Sequence, residues 1–103
     1  MGDSSSELIA AAWEGDTETV QLLLTMPGIN VNFHYGISAL IWAAFNGSTE
    51  IMQMLLAVPD INVNMQDQDG WCALAYAAHE GHLETMQLLL AMPEIDGQGL
   101  SRE

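Results

Sequence analysis

Few side chains in this sequence combine the residue types and spacing that chemistry requires. Its three histidines are His34, His79 and His82. His79 and His82 stand three apart, a spacing that can place two imidazoles on one helix face, but Gly81 lies between them and favours a helix end. That interruption argues against a metal site. Cys72 is the single cysteine, so no intrachain disulfide can form. It has no motif neighbours and reads as a small packed residue rather than a nucleophile. Carboxylates are plentiful, but no pair stands apart from the rest as a catalytic dyad. The glycines recur along the chain instead of clustering in a phosphate loop. No set of nucleophile, base and orienting group emerges. The sequence therefore reads as non-enzymatic, with no cofactor and no metal.

The charge balance excludes further functions. Asp and Glu number 14 against one Lys or Arg, and the formal net charge is −13. The lone base is Arg102, so lysine is absent. Nucleic-acid binding depends on Lys and Arg displacing phosphate counterions, so it is disfavoured. Anionic membrane surfaces are disfavoured for the same reason. A basic partner would be steered in, most strongly at low salt; otherwise the acids supply solubility. The N-terminus lacks the basic-then-apolar layout of a secretion signal. No apolar run approaches the roughly 20 residues a spanning helix needs. A cytoplasmic or nuclear location is the expectation, and a single cysteine suits a reducing compartment. Gly2 and Ser6 formally fit a myristoylation pattern, which an acidic chain has little electrostatic reason to use.

The elements that would position any functional side chain come from self-similarity. Ile9-Ala10-Ala11-Ala12-Trp13-Glu14-Gly15 is followed by Val20-Gln21-Leu22-Leu23-Leu24. Ile41-Trp42-Ala43-Ala44-Phe45-Asn46-Gly47 is followed by Met52-Gln53-Met54-Leu55-Leu56, and Ala75-Tyr76-Ala77-Ala78-His79-Glu80-Gly81 by Met86-Gln87-Leu88-Leu89-Leu90. The closing glycines are 32 and then 34 residues apart. In each unit the Ala-Ala pair permits close packing of a short inner helix, and the Gly ends it. Asp16 or Thr17, Ser48 or Thr49, and His82 stand where an outer helix begins; His82 is a poor N-cap. Glu18, Glu50 and Glu84 suit the first turn of that helix. Pro27, Pro59 and Pro93 prevent it from continuing. Ile29-Asn30-Val31-Asn32 and Ile61-Asn62-Val63-Asn64 alternate as short extended segments do. Gly36 and Gly70 supply the turn back.

A repeat of about 33 residues built this way resembles the ankyrin-repeat family over residues 4 to 97. The family pattern Gly-x-Thr-Pro-Leu-His-x-Ala-Ala-x-x-Gly-His is carried most fully by Gly70-Trp71-Cys72-Ala73-Leu74-Ala75-Tyr76-Ala77-Ala78-His79-Glu80-Gly81-His82. The resemblance implies an all-α solenoid of three helix-turn-helix units with short projecting turns. The units are placed at about 4–32, 33–64 and 65–97, with a disordered 1–3 and a frayed 98–103. It also implies a structural role for the His82 ring. The departures are informative. The Thr-Pro-Leu-His core reads Ser38-Ala39-Leu40-Ile41 in unit two and Cys72-Ala73-Leu74-Ala75 in unit three. Apolar packing must replace the family's hydrogen bonds in unit three. Phe33-His34-Tyr35-Gly36 is two residues shorter than Met65-Gln66-Asp67-Gln68-Asp69-Gly70, which predicts a stubby first turn. Ser4 and Glu7 have capping-box spacing. No dedicated C-terminal cap is evident, which fits a truncated or engineered member.

The resemblance further assigns the variable slots of the concave face. They hold Trp13 and Glu14, His34 and Tyr35, Ile37, Phe45 and Asn46, Gln68 and Asp69, Trp71, and His79 and Glu80. These slots are rich in hot-spot residue types, and contiguous exposed apolar surface marks interaction sites. Trp42 and Tyr76, one position before Ala-Ala, are expected in the core. The leading reading is a protein-binding module that takes a protein or peptide partner on this face. Two alternatives stand beside it. One is an engineered or self-associating scaffold without a natural ligand. The other is an acidic and aromatic reader of a basic or methyl-lysine peptide. Asn32 and Asn64 occupy the Val-Asn position that asparaginyl hydroxylases modify in some ankyrin proteins.

Overall fold

A computed structural model describes residues 4–34 and 36–95. Six helices follow in order: α1 Ser4–Glu14, α2 Thr17–Leu24, α3 Ala39–Asn46, α4 Thr49–Leu56, α5 Ala73–Glu80 and α6 Leu83–Leu90. The inner helices α1, α3 and α5 pack side by side, and each also packs on its own outer helix, α2, α4 or α6. The result is elongated, 40 × 24 × 24 Å. Expected segments 1–3 and 98–103 lie outside the described residues.

The repeat sets the core directly. Leu8, Leu40 and Leu74 occupy the same slot in successive units, and all are buried. Ala11 with Ala12, Ala43 with Ala44, and Ala77 let the inner helices approach closely. Leu23, Leu55 and Leu89 on the outer helices close the other side, with Val31 and Val63 beneath the turns. Each fully buried Leu contributes about 1.5–3 kcal/mol, so three weak units combine into one stable body.

Helix ends are handled unequally. The Asp16 carboxylate accepts from the Thr19 amide at 3.2 Å and the Thr19 hydroxyl at 2.6 Å. Those bonds, the hydroxyl first, hold its pKa below the ordinary aspartate value. Ser38 caps α3 by accepting from the Ile41 amide at 3.3 Å. Ser48 and His82 occupy N-cap positions without a side-chain cap bond, as does the buried Cys72. Ser4 already lies within α1 among the described residues, so it does not stand at an N-cap position relative to Glu7. Gly47 ends α3 at φ 69°, and a Cβ there would lie 2.6 Å from the His82 ring. The ring needs that space, because its Nε2–H donates to the Phe45 carbonyl at 3.0 Å.

The segments after the prolines tie unit to unit. The Asn32 side-chain amide donates to the Asp60 carbonyl at 2.7 Å, and its oxygen accepts from the Asn62 amide at 2.7 Å. Asn64 repeats the device, donating to the Glu94 carbonyl at 2.8 Å. Both side chains are thus structural clamps between units. The Asn30 amide donates to the buried Ser5 hydroxyl at 2.9 Å, tying the segment after α2 to α1. In the first turn His34 bridges to Ser38, and in the second Gln66 bridges to Cys72. The first turn is therefore closed over fewer residues, as its shorter sequence predicts. The Gln68 amide donates to the Gly36 carbonyl at 3.2 Å, joining the two tips.

Candidate protein-binding face

The inner helices present two residues per unit on one exposed face, three positions apart and hence neighbours on a helix. In α1 they are Ala10 and Trp13, in α3 Trp42 and Phe45, in α5 Tyr76 and His79. Stacking the units brings the rings into one row. Trp13 meets Trp42 at 5.9 Å between centroids, Trp42 meets Phe45 at 5.7 Å, and Phe45 meets Tyr76 at 5.7 Å. Tyr76 meets Trp71 at 5.1 Å, and Trp71 meets His79 at 5.5 Å. The geometries are tilted or edge-on, the arrangements aromatic quadrupoles favour, each contributing about 0.5–1.5 kcal/mol beyond burial. The row crosses all three units, yet Trp13 remains 53% exposed, Phe45 37% and Trp71 38%.

Hydrogen bonds hold the backbone beneath the rings. The Asn46 side-chain amide donates to the Trp13 carbonyl at 2.9 Å, linking the C-terminal ends of α1 and α3. The His82 bond to Phe45 links the end of α3 to unit three. At the second turn, Asp67 is the organiser. One carboxylate oxygen accepts from the Asp69 and Trp71 amides, each at 2.9 Å. The other accepts from the Tyr76 hydroxyl. The Asp67 backbone amide also donates to the Trp71 carbonyl at 2.9 Å. This set fixes the base of the Trp71 side chain over the start of α5. The hydrogen bond to Asp67, helped by burial, pushes the Tyr76 phenol up to about 12.

The sequence-assigned residues fall unevenly on this face. Trp13, Phe45, Trp71 and His79 join the ring row, all exposed. Glu14, His34, Gln68, Asp69 and Glu80 are exposed around it. Asn46 is exposed, but its amide is committed to the Trp13 carbonyl. Ile37 is half-buried and packs against the core. Tyr35 lies outside the described residues. Trp42 and Tyr76, expected in the core, do pack against it, but both are only half-buried and supply the links of the exposed row. Their spacing of three from Phe45 and His79 was the available signal. Asp67 was not singled out at all; its signal was a turn-forming acid directly before Gln68-Asp69-Gly70.

The row also has a gap. Ala10 occupies the slot that Trp42 and Tyr76 fill in the later units. A groove of about 350 Å³ opens there, lined by Ser6, Ile9, Ala10, Trp13 and Trp42. Elsewhere the chemistry is sparse. Cys72 is buried, His79 contacts Glu80 at 3.1 Å, and no three metal-ligating side chains come together among the described residues. Among those residues, no helix is long and apolar enough to cross a membrane.

A family model described as ankyrin repeats in three copies matches residues 8–98. No curated protein matches the chain.

Proposed function

Because the chain belongs to the ankyrin-repeat family, whose repeats generally mediate protein–protein interactions and are typically non-catalytic, we propose that it is a protein-binding module. Its partner docks across the inner-helix face. The observation that carries this reading is the row of rings from Trp13 to Trp71, continuous through three units and still exposed. A protein that needed only solubility would place polar side chains in these slots. Trp and Tyr dominate binding energy where a partner desolvates them. The face is held rigid by ring contacts and by the Asn46, His82 and Asp67 bonds, so little is lost to ordering when a partner arrives.

The test is capture of partners from a cell lysate by the parent protein and by the double variant Phe45→Ala/Trp71→Ala, with matched thermal melts. A partner retained by the parent and lost by the folded variant supports the reading. Identical capture by both moves binding off this face. A second reading, self-association, is favoured by the exposed Leu83 and Leu90 of α6. A molecular mass that rises with concentration would support it.

A further inference from the structure

The gap at Ala10 and the charge around the ring row together specify a partner. The groove is open to solvent and lined by Ser6, Ile9, Ala10, Trp13 and Trp42; the Ser6 hydroxyl and the two indole N–H groups are the polar side-chain groups in that lining. Its volume of about 350 Å³ leaves room for one large side chain laid against the surface, and the lining is mostly apolar. In units two and three the equivalent space is taken by Trp42 and Tyr76, so the gap is bounded on one side by the end of the row.

The surroundings carry one sign of charge. Glu14 follows Trp13 directly, Asp67 and Asp69 flank Trp71 at the second turn, and Glu80 follows His79. The Glu14 and Asp69 carboxylates make no hydrogen bond or ion pair among the described residues. No Lys or Arg occurs among those residues either, since the single base of the sequence is Arg102. The bonds from Asn46 to Trp13 and from His82 to Phe45 bring the C-terminal ends of the inner helices to the same edge. Their dipoles add negative potential there. The exposed ring faces of Trp13 and Trp71 attract cations in the same way.

We infer that the occupant of this face is a basic peptide segment that seats one large aliphatic side chain in the Ala10 groove and lays Arg or Lys along the ring row. The inference rests on the protein-binding reading above and deepens it by naming the partner's chemistry. An acidic segment of the same apolar content is excluded by repulsion from a chain of formal charge −13.

All three tryptophans, Trp13, Trp42 and Trp71, belong to the row, so intrinsic fluorescence reports on this face alone. Three synthetic peptides serve as probes. The first alternates Arg and Ala around a central Leu; the second replaces each Arg by Glu; the third replaces the Leu by Ala. The Arg/Leu peptide should give saturable quenching that weakens at high salt. The Glu/Leu peptide should give none. Losing the Leu should weaken binding roughly tenfold to a hundredfold, the worth of burying one such side chain. Ala10→Trp, which restores the ring of the later units, should erase that preference for Leu while leaving the thermal melt intact. Ala10→Met fills the groove more flexibly and serves if the larger ring perturbs folding. Equal binding of the Glu/Leu peptide, absence of saturable binding by the Arg/Leu peptide, or a Leu preference that survives both filled variants each overturns the inference. If a lysate partner is still lost on Phe45→Ala/Trp71→Ala while the peptides fail, the binding face stands and this partner chemistry alone falls.

Discussion

The Tyr76–Asp67 bond makes the stability of the whole stack sensitive to alkali. The hydrogen bond to Asp67 holds the phenol pKa above its ordinary value of 10.0, at about 12 in the fold. A folded pKa above the unfolded one means that the neutral phenol is the stabilising form. Its contribution is complete below about pH 10 and disappears as pH rises from about 10 to about 12. A rise of about two units corresponds to about 2.7 kcal/mol. Tyr76 is half-buried and beside solvent, so screening reduces this to about 1–2 kcal/mol. A net stability of about 5–15 kcal/mol for a domain makes that loss easy to measure. Urea unfolding followed by circular dichroism should show the parent losing about 1–2 kcal/mol between about pH 9 and about pH 12. Tyr76→Phe should start lower by a similar amount and lack that part of the alkaline decline. Asp67→Asn should start at or below Tyr76→Phe, because its one acceptor oxygen serves either the phenol or the Asp69 and Trp71 amides and leaves the other set unmet. Parallel decline of the parent and Tyr76→Phe across this window would refute the assignment of the bond.

The remaining predictions concern packing and the ties between units. Gly47→Ala should cost about 2–3 kcal/mol, from the left-handed backbone and the displaced His82 ring, whereas Gly15→Ala, with open space around it, should cost about 1–2. In a His82→Ala background the Gly47→Ala penalty should shrink toward that of Gly15, a cycle read by thermal melts. Thr85 is buried and its hydroxyl has no partner among the described residues, so Thr85→Val should raise stability by about 1 kcal/mol in urea titrations. Asn32→Ala should cost about 1–2 kcal/mol by the same assay, since it removes two bonds to the next unit; Asn30→Ala, which removes one local bond, should cost less.

Much of the fold was legible because a repeat is a local, one-dimensional signal. Leu23, Leu55 and Leu89 recur at the same place in each outer-helix stripe, and each turn Gly and helix-ending Pro marks its own boundary. The shorter first turn could be counted from the residues, and the structure closes it at His34 and Ser38. The candidate face was only partly legible. Trp13, Phe45 and Trp71 could be placed on it because each belongs to a slot defined within one unit. Trp42 and Tyr76 read as core from the same slots, yet each bridges an exposed ring of its own unit to one of a neighbour or a turn. Ile37, equivalent to Trp71, turned inward against the core because a smaller aliphatic side chain finds apolar neighbours there.

The sequence by itself determined the three units, their helices and the apolar stripe each must bury, because propensity and periodicity act within about a dozen residues. Only the tertiary structure decided what those units do to one another. The Asn32 clamp spans from residue 32 to residues 60 and 62, and the His82 bond to Phe45 spans 37 residues. The groove at Ala10 exists because Trp42, from the next helix, walls a space that Ala10 leaves unfilled. Contacts of this kind depend on the rotation and separation of neighbouring helices. Those quantities follow from how whole packed surfaces fit together, and no single unit carries them.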